Sequence, residues 1–171
     1  SAELALCRAV IAAATLLIWQ ILTRTMVRFQ DIKKELPLLL LSGAAMGVNW
    51  ILFFQAYKYT SVALATLSYY FAPVLVTVAS PLLFQERLTG RQMFCFVMST
   101  LGLVLVIGVS GGAGAGDTAG VLFGLGAAVF YAAVVLCNKG IRNVTGINRT
   151  YLQFLASIAV LLPYVLLTGG F

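Results

Sequence analysis

Six apolar runs of roughly twenty residues each, parted by short polar connections, leave this chain few folds to choose from. They cover residues 4–23, 37–57, 62–84, 92–109, 119–138 and 151–168. A helix rises 1.5 Å per residue, so about 20 apolar residues cross the ~30 Å hydrocarbon core of a bilayer. Only 9% of the residues are charged and 61% are hydrophobic, whereas a soluble domain carries about 25% charged residues to cover its surface. The expected fold is an all-α integral membrane protein, a polytopic bundle of six transmembrane helices. The first run has Glu3 ahead of it, Arg8 inside it and no basic leader, so it reads as a span and not as a secretory signal.

Consecutive spans place alternate connections on the same side of the membrane, and basic residues mark the cytoplasmic one. Nine of the eleven fall on one side: Arg24, Arg28, Lys33, Lys34, Arg87, Arg91, Lys139, Arg142 and Arg149. Loops 24–36, 85–91 and 139–150 are therefore expected in the cytoplasm, and a multi-pass protein of the bacterial inner membrane is the expected setting. The net charge of +6 is accounted for by this topology, so nucleic acid is not an expected partner. On this orientation residue 1 lies outside the cell, and a further span is expected upstream.

Catalytic chemistry lacks its parts. The chain has no histidine, no pair of acids within a run and no Cys-x-x-Cys spacing, which excludes the usual intramembrane protease and metal sites. Cys7, Cys95 and Cys137 fall in three different runs and read as small hydrophobes. The segment "GAGDTA" at 114–119 fits a dinucleotide-type glycine pattern only formally, because a helix-length run precedes it. No enzyme activity, metal or cofactor is expected. Sequons at Asn143 and Asn148 lie in an expected cytoplasmic loop.

The stretch "GAAMGVNWILFFQAYKYTSVALATLSYYFAPVLVTVASPLLFQERLTGRQ", followed by "LGLVLVIGVS", resembles the EamA-like branch of the drug/metabolite transporter superfamily. The likeness lies in a glycine-bearing helix ending in Ala-x-x-Tyr-Thr, a helix with central Pro73 ending in Glu-Arg-Leu-Thr at 86–89, and a glycine-spaced helix after it. The resemblance implies a ten-helix carrier of two inverted five-helix repeats around a central cavity. Residues 1–109 would be helices two to five of the first repeat, 110–118 an external glycine-rich linker, and 119–171 the first two helices of the second. The first helix and the last three are absent from this stretch, so the chain is expected to be a carrier fragment. The implied function is alternating-access transport of small organic metabolites or drugs, such as amino acids or amphipathic cations, by an exporter or facilitator. The alternative is a non-transporting assembly subunit or inactive carrier fragment. The bilayer and a small-molecule substrate are the expected partners, with a homodimer through small-residue faces left open.

Polar residues inside the runs are the candidates for a substrate path. Thr66, Tyr70, Pro73, Thr77 and Pro81 recur every three or four positions and would form one stripe of a continuous helix. Tyr70 is preferred over Tyr69 because it shares the stripe with Pro73. The competing reading is a kinked packing helix whose hydroxyls bond back to their own backbone. Asn49 with Trp50 is the expected cavity pair on the preceding helix, while Gln55 reads as an interhelical hydrogen bond and Tyr57, Lys58 and Tyr59 as an interfacial belt. Tyr131 is the large polar aromatic of the fifth run, and the family resemblance implies that its helix faces the cavity. Glu86 with Arg87 reads as a loop ion pair or gate. Gly43 and Gly47, and Gly120 and Gly124, are spaced for close helix packing. No acid lies inside an expected span, so a proton-coupling group is expected elsewhere or transport follows the substrate gradient.

Overall fold

The computed structural model describes residues 2–23, 29–84, 89–109, 115–141, 144 and 146–167. Seven helices run through them: α1 (Ala2–Thr23), α2 (Phe29–Tyr59), α3 (Val62–Tyr69), α4 (Ala72–Phe84), α5 (Gly90–Val109), α6 (Ala115–Gly140) and α7 (Gly146–Leu167). Among the described residues, five stretches are long and apolar enough to cross a membrane: Glu3–Thr23, Glu35–Tyr59, Val62–Pro81, Thr118–Gly140 and Gly146–Leu167. The 20-residue α5 occupies the remaining expected run. The protein is a multi-pass helical membrane protein, as its composition requires.

Four boundaries differ from the sequence expectation, one being the start of α7 at Gly146 where 151 is expected. α2 starts at Phe29 and carries Pro37 inside it, although a proline removes one helical hydrogen bond and its ring crowds the carbonyl one turn back. The apolar stretch of α2 accordingly opens at Glu35, which places a carboxylate at the edge of a span that the sequence pattern alone leaves free of acids. The run 62–84 is two helices, α3 and α4. At the far end of the expected linker, residues 115–118 are already helical in α6.

The chain forms two compact units, residues 1–51 with 133–171 and residues 52–132. In the first, α1 packs on α7, and α1 buries the alanines Ala5, Ala9 and Ala13, one turn apart. α2 approaches α7 through its glycines. A Cβ at Gly43 would collide with Ala156 and stand 2.8 Å from the Gln153 carbonyl oxygen, and one at Gly47 would stand 3.1 Å from Val160 Cβ. Leu39, Ile141 and Val144 close the base of this unit, with Leu152 against them.

In the second unit α6 makes the same kind of approach. A Cβ at Gly120 would collide with the Thr60 side chain, and one at Gly124 would stand 2.9 Å from Ser68 Cβ and 3.1 Å from the Ala65 carbonyl oxygen. Ser61 caps α3 by accepting from the Leu64 N–H, and the Thr89 N–H donates to Gln92 Oε1 at 2.9 Å at the start of α5, half of a capping box. α5 packs on α3 and α4.

Apolar spans gain nothing by hiding from apolar lipid, so close backbone approach must hold them together. Gly43→Leu should therefore lower stability in a mixed-micelle unfolding titration by about 1–3 kcal/mol. Gly102, which has open space around its Cβ position, should accept leucine within about 0.5 kcal/mol. Equal effects at the two positions would contradict the packing account.

Candidate substrate site

The span 62–81 is interrupted at its middle. The Tyr70 N–H still bonds to the Thr66 carbonyl at 3.0 Å, but the Phe71 N–H turns to Ser68 at 3.2 Å and the Val74 N–H to Phe71 at 3.0 Å. These tighter i to i−3 bonds mark the junction, and α4 begins anew at Ala72 with Pro73 in its first turn, where a proline costs no helical bond. Backbone that leaves the regular ladder at membrane depth is stable only beside protein or a water-lined path.

Aromatic rings gather beside this junction within the second unit. Tyr69 lies 4.6 Å from Phe53 and 5.6 Å from Tyr131, the latter edge-on, with ring centroids as the measure. Phe53 in turn lies 4.7 Å from Tyr57, whose hydroxyl is 3.3 Å from that of Thr66. The result is a continuous wall of π faces from Thr66 to Tyr131 with phenolic hydroxyls set along it. Tyr70 touches this wall only through Tyr69, at 6.4 Å, and is 67% exposed.

α4 and α5 enclose an open groove of about 290 Å³, whose lining includes Pro73 and Thr77 on one side and Arg91, Cys95, Phe96 and Ser99 on the other. The Thr77 hydroxyl donates to the Pro73 carbonyl at 2.8 Å and the Thr66 hydroxyl to the Val62 carbonyl at 2.6 Å. Both hydroxyls of the expected stripe thus bond back to their own helix, as the packing-helix reading requires, while Thr66 also meets Tyr57.

The first unit holds a buried polar ladder. Gln153 Nε2 donates to Ser42 Oγ at 2.7 Å and to Asn138 Oδ1, and Arg149 donates to the Asn138 carbonyl at 3.1 Å. Glu35, only 7% exposed, accepts from the Val144 N–H at 2.9 Å. Asn49 is 2% exposed, and its Oδ1 has no hydrogen-bond partner among the described residues. Trp50 is half-buried, 6.0 Å from Phe154, with the Arg8 guanidinium 5.8 Å from its ring centroid.

The seven expected cavity residues are therefore divided. Asn49 and Trp50 belong to the first unit. Thr66 and Tyr131 join the aromatic wall, Pro73 and Thr77 line the groove, and Tyr70 stands outside both. Glu86 and Arg87 lie outside the described residues. Tyr69, and not Tyr70, stands beside Tyr131, although both precede the break and the Tyr70 N–H keeps its regular bond to Thr66. Asn138, two residues before the end of α6, accepts from Gln153. The sequence does carry a signal for the ladder: Glu35, Ser42 and Asn49 are seven apart and share one face of α2.

Comparison with known proteins agrees with this architecture. The EamA-like transporter family matches residues 1–108, which takes in α1 to α4 and all but the last residue of α5. The Uncharacterized transporter YxxF of Bacillus subtilis (strain 168) is 29% identical over 135 residues, covering 78% of this chain and 43% of the relative. The chain thus spans less than half the length of that curated relative. No solved structure matches it.

Interhelical hydrogen bonds in membrane proteins contribute about 1 kcal/mol each, and Gln153 makes two from a site that is 5% exposed. Gln153→Leu should lower stability by about 1–2 kcal/mol in the mixed-micelle titration. No change would mean that the ladder does not hold α2, α6 and α7 together.

Proposed function

The chain belongs to the EamA-like transporter family, and from that membership we propose that it forms part of a membrane carrier whose substrate path runs past the junction of α3 and α4. The observation that carries this reading is the mid-span break at Tyr70–Phe71 with the Tyr69–Tyr131 wall beside it. Carriers place substrate near the bilayer midplane, at discontinuous helices whose freed backbone faces a cavity. The wall offers π faces to an apolar or cationic group and the Tyr57 and Thr66 hydroxyls to a polar one, a combination that suits an amphipathic or cationic organic molecule. The Pro73 and Thr77 groove is a second stretch of the same path.

Transport requires no bond to break, and the residues serve binding and access alone. Alternating access comes from one five-helix repeat rocking against an inverted second one around a fixed site, of which this chain supplies helices two to seven. Its basic segments 24–36, 85–91 and 139–150 lie toward the cytoplasm of a bacterial inner membrane.

Proteoliposomes offered a panel of amino acids and organic cations test the reading. Tyr69→Ala and Tyr131→Ala should each lower uptake about 2- to 30-fold at equal membrane levels, the range expected for losing one π contact, whereas Tyr131→Phe should keep most of it. Unchanged uptake in both alanine variants would contradict a substrate role for the wall.

A further inference from the structure

Arg8 is the cation of the α1 span, Glu3–Thr23. It stands on a largely apolar face, with Leu4, Ile11, Ile18 and Leu22 all exposed and Thr15 bonded back to the Ile11 carbonyl. A charge in this position costs a few kcal/mol against lipid unless it snorkels to the surface or serves a polar path. Arg8 lies only five residues from the span's start, about 8 Å along the helix, so the surface is within reach of its side chain. The guanidinium turns elsewhere. It sits 5.8 Å from the Trp50 ring centroid, and Trp50 is nine residues from the end of its own span, Glu35–Tyr59, about 13 Å deep. Phe154 at 6.0 Å supports the indole from α7.

The Arg8 Cζ lies over the Trp50 ring. Arg8 has no hydrogen bond or ion pair with any described residue. Glu3, the acid on the same helix, lies about 140° around it. A guanidinium fork held in place by an aromatic ring is the geometry that grips a carboxylate through two parallel hydrogen bonds.

We propose that Arg8, pinned over Trp50, is the binding group for the carboxylate of an organic anion or zwitterion that the carrier moves. This rests on the carrier reading and names the substrate class: the molecule has an acidic end. The competing source of an anion is a lipid headgroup, and the test separates the two.

The chain has two tryptophans, so Trp19→Phe leaves Trp50 as the reporter. The protein is placed in phosphatidylcholine nanodiscs and titrated with benzoate, using benzamide as the uncharged isostere. Benzoate should change Trp50 emission saturably and benzamide should not. Arg8→Gln should weaken the benzoate response about tenfold or more, and Arg8→Lys should retain part of it. Equal responses to benzoate and benzamide in the protein that keeps Arg8 would overturn the proposal without recourse to any variant. So would a response that appears only when phosphatidylglycerol is added, which would make Arg8 a lipid anchor. Organic-cation uptake that survives alongside an absent benzoate response would overturn this inference alone and leave the carrier reading standing.

Discussion

Hydrocarbon offers no partner to a backbone N–H or carbonyl, and everything else in this protein follows from that. Each span must satisfy its own backbone, which helices do at every turn. The junction of α3 and α4 is where the ladder changes register inside a span. The i to i−3 bonds from Phe71 and Val74 and the missing N–H of Pro73 reduce the cost of the break. The rings of Tyr69, Phe53 and Tyr131 then line it on the protein side. A feature this expensive to build in lipid is best explained by use, and a carrier needs such a place.

The second consequence concerns how the helices stay together. Without a hydrophobic drive between spans, association depends on dispersion at close range and on the few polar bonds that lipid cannot replace. Gly43 and Gly47 bring α2 onto α7, and Gly120 and Gly124 bring α6 onto Thr60 and α3. Gln153 then joins α7 to both Ser42 on α2 and Asn138 on α6. Against that background the Oδ1 of Asn49, unpartnered among the described residues, and the ring-held cation of Arg8 stand apart, as polar groups that the packing does not use.

Much of this was legible in the sequence. Span length and apolarity identify helices whatever their partners, and glycines four apart announce a close approach because nothing else tolerates the missing side chain. Other features were not legible. Pro37 and Pro73 are the same residue type, yet α2 continues through one and α4 restarts just before the other. That restart gives α4 a phase of its own, so the stripe drawn through Thr66, Tyr70 and Thr77 as one continuous helix is broken between Tyr70 and Pro73. Gln153 and Asn138 are single polar residues in apolar runs, and each reads as cap, bond or cavity lining until its neighbour is known.

The central claim is that the break at Tyr70–Phe71 borders a water-filled substrate path. It is tested most directly by thiol accessibility. Tyr69→Cys, in a chain with Cys7, Cys95 and Cys137 replaced by alanine, is treated in native membranes with a membrane-impermeant maleimide. The account predicts rapid labelling, slowed when a transported compound is present. If the introduced thiol resists the reagent while a control cysteine in an exposed loop reacts, the break faces lipid or packed protein, and the account is contradicted.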